Sequence, residues 1–97
     1  MNILIIEDEA LAAERLQLLI RQYDPNIKIL ACLESIEETV HWFQTRTAPD
    51  LIMMDIHLSD GHCFEILKQV RIQKPVIFTT AFDSYAINAF QHYSVDY

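Results

Sequence analysis

Ile3-Leu4-Ile5-Ile6-Glu7-Asp8 and Leu51-Ile52-Met53-Met54-Asp55 are two short apolar runs, and each ends in carboxylates. Runs of this length, apolar without alternation, suit central strands of a parallel sheet, where both faces are buried. If the two strands lie side by side, Glu7, Asp8 and Asp55 meet at one edge of the sheet. Packing gives no reason for this. Two like charges about 4 Å apart repel by roughly 4 kcal/mol at an effective dielectric of about 20. The pattern therefore implies a bound cation, and it limits what the chain can do more than any other feature.

Working outward, the hydrophobic period alternates between strand and helix. Residues 9–23 have helical spacing, with Ala12, Leu16, Leu19, Ile20 and Tyr23 on one face, and Pro25-Asn26 breaks the pattern. Residues 27–33 form a second strand-like run. Ser35 and Glu38 make a capping box for a helix whose buried stripe is Ile36, Val40 and Phe43. Trp42 is adjacent to Phe43, so one of the two is core and the other partly exposed. A third strand over 50–54 is followed by a loop holding Ser59, Asp60 and Gly61. A helix over 63–71 then follows, with Phe64, Leu67 and Val70 inward. A β-branched strand over 76–80 comes next. Asp83 or Ser84 caps a short helix to about Gln91, with Ala86, Ala89 and Phe90 inward, and Val95-Asp96-Tyr97 opens a further strand. Strands alternating with helices across short loops predict a single α/β domain with a doubly wound parallel sheet. In such sheets the reactive site lies beyond the strand C-termini, where strand order reverses. Glu7, Asp8, Asp55 and Thr80 all fall there.

Composition narrows the function classes. The 97 residues are 52% hydrophobic, enough for one core, and the formal net charge of −7 argues against this domain binding nucleic acid or an anionic membrane by itself. Gly61 is the only glycine, which excludes the Gly-rich phosphate loop of a nucleotide or flavin module. Cys32 and Cys63 match no metal or redox spacing, and Cys32 reads as a buried, reduced thiol. Reduced cysteines without a signal peptide point to the cytoplasm, and no apolar stretch is long enough to span a bilayer. His41, His62 and His92 are scattered and expected to face solvent. Mg²⁺ suits the acidic cluster, since it takes one or two carboxylates and a few further oxygens. A carboxylate can also attack phosphorus and form an aspartyl-phosphate.

At these residues the chain resembles the receiver domain of two-component response regulators. The resemblance rests on Glu7-Asp8-Glu9 closing the first strand, Asp55 the third, Thr80-Ala81 the fourth, and Asp96-Tyr97 opening the fifth. Phe78-Thr79-Thr80-Ala81-Phe82-Asp83-Ser84-Tyr85-Ala86, with Ala89-Phe90 and Val95-Asp96-Tyr97, is similar to receivers that precede a LytTR DNA-binding domain. The resemblance implies a flavodoxin-like sheet of order 2-1-3-4-5 over residues 1–97. The fifth strand is then incomplete, and the fifth helix and any second domain are absent. It makes Asp55 the phosphoacceptor, Asp8 a direct ligand of Mg²⁺ and Glu7 one through water, with Asp55 and the backbone carbonyl of His57 completing the metal site, Thr80 the hydrogen-bonding switch residue, and Tyr97 the switch aromatic. The donor is a sensor histidine kinase, and DNA is reached only through a further C-terminal domain. The family's fifth-strand lysine falls three places past Tyr97. A polypeptide of 97 residues is therefore expected to be poorly phosphorylated and, with an uncovered 76–80 edge, to form a homodimer or domain-swapped oligomer. Alternatives are a Mg²⁺-dependent phosphohydrolase with an aspartyl nucleophile, for which His57 stands where a second acid is usual, and a non-phosphorylated pseudo-receiver.

Overall fold

A computed structural model describes residues 1–46 and 48–79. Within them run β1 (Asn2–Ile6), α1 (Ala10–Tyr23), β2 (Lys28–Leu33), α2 (Ile36–Thr45), β3 (Leu51–Asp55), β4 (His57–Leu58), β5 (Gly61–His62), α3 (Phe64–Gln69) and β6 (Val76–Thr79). The long strands form one parallel sheet in the order β2-β1-β3-β6. This is the predicted 2-1-3-4 arrangement, and the expected helix to Gln91 and fifth strand at Val95 lie outside the described residues.

The two-residue period of β1 divides its side chains between two layers. Leu4 and Ile6 join Ile52, Met54, Ile56, Ile66 and Phe78 in the larger core beneath α2 and α3. Ile3 and Ile5 meet Ile20 of α1 on the other face, with Leu16, Leu51 and Met53 packed around them. Burying an aliphatic side chain of this size contributes about 1.5–3 kcal/mol, so β1 and β3 carry much of the stability.

Several local expectations change. In α1 the inward residues are Ala13 and Ile20 with Leu16, not the full predicted stripe. Leu19 is 57% and Tyr23 87% exposed, and both border an apolar groove with Ile3, Leu51, Met53 and Ile77 on that face of the sheet. In α2, Thr39 is fully buried and its hydroxyl donates to the Ser35 carbonyl at 2.7 Å. Trp42 and Phe43 are both half-buried, and the Arg46 guanidinium lies 5.1 Å from the centre of the Trp42 ring. The helix after the loop is shorter than expected, and its most buried residue is Ile66, while Phe64, Leu67 and Val70 pack beside it. The loop itself contains a small antiparallel hairpin that pairs His57 with His62 and Leu58 with Gly61.

His62 is half-buried rather than solvent-facing. Its Nδ1 accepts from the Phe64 N–H at 3.2 Å, and its ring meets His57 edge-on at 5.2 Å. His41 is exposed as expected, whereas His92 lies outside the described residues. Both cysteines are free. Cys63 is buried, but Cys32 is only half-buried and accepts from Gln17 Nε2 at 3.0 Å.

The capping box forms with a shift. Ser35 Oγ accepts from the Glu38 N–H at 3.1 Å, but the Glu38 carboxylate reaches Glu34 N–H at 2.7 Å rather than the backbone of Ser35. Ser35→Ala should lower the unfolding free energy by about 1 kcal/mol, and Ile52→Ala, which empties a fully buried site, by about 2–5 kcal/mol. Urea denaturation monitored by circular dichroism would check both, with unchanged slopes expected.

Candidate functional site

Parallel pairing of β1 with β3 runs from Ile3 opposite Leu51 to Ile6 opposite Met54. The next residue on each strand is a carboxylate, so the register alone sets Glu7 and Asp55 level with each other. The Glu7 N–H still donates to the Leu33 carbonyl of β2 at 2.9 Å, which holds the start of the acidic segment to the sheet. This is also where strand order reverses: from β1 the chain passes outward to β2, and from β3 to β6 on the other side. A crevice at such a switch point is where open parallel sheets place their ligands.

Glu7, Asp8 and Asp55 each present a carboxylate oxygen, all within 4.8 Å of one another. Glu7 and Asp55 are half-buried, and Asp8 is exposed. Burial pushes the Glu7 carboxyl up to about 7, assisted by the charges of Asp55 and Asp8 and a hydrogen bond shared with Asp55, and opposed by the Glu9 N–H. Asp55 is also raised, chiefly by burial. The His57 N–H and the hydrogen bond with Glu7 work against the rise, and Asp8 adds to it. Without a cation, then, the Glu7 and Asp55 carboxyls hold a proton more readily than ordinary carboxylates do. A divalent ion can take that proton's place, so the donor set fits a hard cation that prefers oxygen ligands. The first turn of α1 starts beside these acids, and the positive end of its dipole favours negative charge there.

The backbone following Asp55 belongs to the site as well. The His57 N–H faces Asp55 Oδ1 at a long 3.4 Å, and the His57 side chain is exposed. Asp55 pairs with Thr79 across β3 and β6, so the described end of β6 stands level with the acids. Thr80 and Tyr97 lie outside the described residues.

Two neighbours were missed in the sequence. Cys63 is buried close to Asp55, and its thiol is pushed up to about 12 by burial and then by the Asp55 charge, so it stays protonated and unreactive. Asp60 caps α2 from the hairpin turn: its carboxylate accepts from the Ile36 N–H at 2.8 Å and the Glu37 N–H at 3.2 Å. Ser59-Asp60-Gly61 marked a turn in the sequence, but nothing there showed which helix the aspartate would reach.

Comparison with known proteins agrees with this geometry. Residues 3–97 match the family described as response regulator receiver domain. Sensory transduction protein LytT of Enterococcus faecalis is 36% identical over 100 residues, covering 100% of this chain and 40% of LytT. Sensory transduction protein LytR of Streptococcus mutans is 38% identical over 104 residues, covering 100% of this chain and 41% of LytR. The chain thus spans about two-fifths of the length of these relatives. Among solved structures, the MaeR response regulator bound to beryllium trifluoride superposes with a TM-score of 0.76 at 25% identity, covering 100% of this chain and 82% of MaeR. A LuxR-family DNA-binding response regulator from Staphylococcus aureus gives 0.81 at 19% identity over 97% of this chain and 80% of its own, a likeness of fold alone. With the parallel order, the acids at the switch point and a family match across nearly its whole length, this chain belongs to the response regulator receiver domains.

Proposed function

We propose that the chain is the receiver unit of a longer, cytoplasmic regulator and that Asp55 accepts a phosphoryl group from a sensor histidine kinase. The observation that carries this is the convergence of Glu7, Asp8 and Asp55 within 4.8 Å. In the transfer, an Asp55 oxygen forms the new bond to phosphorus, the phosphorus–nitrogen bond of the donor phosphohistidine breaks, and its electron pair leaves with the imidazole. Glu7, Asp8 and Asp55, with the backbone carbonyl of His57, would hold Mg²⁺. When bound, that ion offsets the charge spread over the transferred oxygens. Burial keeps the nucleophile partly dehydrated, and the His57 N–H faces one of its oxygens at 3.4 Å.

Thr80 then hydrogen-bonds the phosphoryl group, and Tyr97 follows it inward, which shifts the balance between two conformers of the domain. The chain's chemistry is confined to its own phosphorylation and dephosphorylation. The readout is transcription regulation through a LytTR-type DNA-binding domain, consistent with the names of relatives such as the transcriptional regulatory protein BtsR of Salmonella typhi; the 97-residue polypeptide itself forms a homodimer or domain-swapped oligomer.

Asp55→Asn should abolish covalent labelling by acetyl phosphate, read by intact mass. Persistent stoichiometric labelling of that variant would contradict the assignment. The acids also set a pH dependence. Glu7 titrates near 7 when folded, against an ordinary 4.5, so between these values the folded chain keeps a proton that the unfolded chain has lost. Stability from this group is therefore greatest at low pH and declines as pH rises through 7. In EDTA the urea midpoint should fall between about pH 5 and pH 8. Saturating Mg²⁺ should flatten the decline, and Glu7→Gln should remove most of it. A midpoint in EDTA that does not move over this range would count against the coupled acids.

A further inference from the structure

The backbone just after Asp55 folds into a very short hairpin. Strands β4 and β5 have two residues each, and a hairpin of that size has marginal stability by itself. Contacts outside the hairpin hold it in place. Leu58 is buried in the larger core, the Cys63 N–H donates to the Ile56 carbonyl at 2.7 Å, and the Asp60 carboxylate bridges to the Ile36 and Glu37 N–H groups of α2. The first two tie the base and inner side of the hairpin; at the tip, the two-pronged Asp60 bridge to α2 is joined by one longer hydrogen bond, from Ser59 Oγ to the Glu34 carbonyl at 3.4 Å.

That bridge completes the helix start. The first four N–H groups of a helix have no partner within it. Here Asp60 takes those of Ile36 and Glu37 and Ser35 Oγ takes that of Glu38, after which the regular helical bonds begin with Thr39 N–H to the Ser35 carbonyl. The hydrogen bond from Ile36 also holds Asp60 below the usual carboxylate range, so the bridge carries a full negative charge. Gly61 makes the approach possible. Its φ is +145°, and a Cβ there would stand 3.1 Å from Ile36 Cδ1, which a side chain would disturb.

We infer that Asp60 is a positioning residue for the acidic site: by fastening the hairpin tip to the start of α2, it sets the backbone at His57 against Glu7, Asp8 and Asp55. The inference rests on the reading of that site as a divalent-cation centre. Asp60 touches neither cation nor phosphoryl group, and it acts through the intervening residues from Asp60 back to Asp55. Ser35 gives the matching control, because it caps the same helix turn without holding the hairpin.

The test is Mg²⁺ titration by calorimetry at constant pH on the wild-type protein, Asp60→Ala, Asp60→Asn and Ser35→Ala, with thermal midpoints measured alongside. Asp60→Ala should weaken Mg²⁺ binding about three- to tenfold. Asp60→Asn, which keeps an oxygen to accept from Ile36, should recover to within about twofold of wild type. Ser35→Ala should lose thermal stability but bind Mg²⁺ as wild type does. If Asp60→Ala does not fold, Asp60→Glu, whose arm is one methylene longer, takes its place with the same expectation. Unchanged Mg²⁺ affinity in the Asp60 variants, or equal weakening in Ser35→Ala, would overturn the inference and leave Asp60 as a helix cap. Failure of the wild-type protein to bind Mg²⁺ would instead overturn the cation-site reading itself.

Discussion

Everything at the site follows from one constraint: two buried apolar strands lie parallel and in a register that brings their terminal carboxylates together. Each strand gains from burial, and the acids oppose that gain through mutual repulsion and loss of hydration. The register cannot easily relax to separate them. A one-residue slip would turn Leu4 and Ile6 away from the larger core and exchange the faces of the strand, which costs far more than the repulsion. The apolar runs thus hold the acids in place, and their repulsion is met by a raised proton affinity at Glu7 and Asp55 or, on the proposed reading, by a metal ion. Stability is given up at the spot where the chemistry needs charge.

Among the described residues, the two faces of the sheet are not equally covered. Beneath α2 and α3 the core is closed, with Leu4, Ile6, Ile52, Met54, Ile56 and Ile66 wholly buried. Beside α1, Met53 is half-buried and Ile77 exposed, and among the described residues they line an apolar groove. The hairpin after Asp55 belongs to the closed side. Through Asp60 it links the acidic edge to α2, so a displacement of the backbone at His57 would be felt at the start of that helix.

The strand order was implied by the resemblance to receiver domains. The alternation of strands and helices and the acids at two strand ends were legible because both depend on local signals: unbroken apolar runs, their length, and the residue type at each C-terminus. Ser35 was legible as a cap for the same reason, since its partner is three residues away. What escaped notice depends on distant partners. Leu19 and Tyr23 have helical spacing with Leu16 and Ile20, yet which part of that stripe is covered depends on the sheet face opposite. His62 reads as one more scattered polar residue until the hairpin folds it against Phe64. Asp60 reads as a turn residue, because its partners at Ile36 and Glu37 lie more than 20 positions earlier. Short elements such as β4 and β5 have no period to detect, and they were seen only as a loop.

The decisive property of the site is whether Glu7, Asp8 and Asp55 share one divalent ion. Crystals of the protein grown with Mn²⁺ in place of Mg²⁺ would answer this through anomalous diffraction. A single strong peak bonded to carboxylate oxygens from both strands is the predicted result. A map with no peak among these three residues at saturating Mn²⁺, or with their carboxylates turned away from one another, would contradict it.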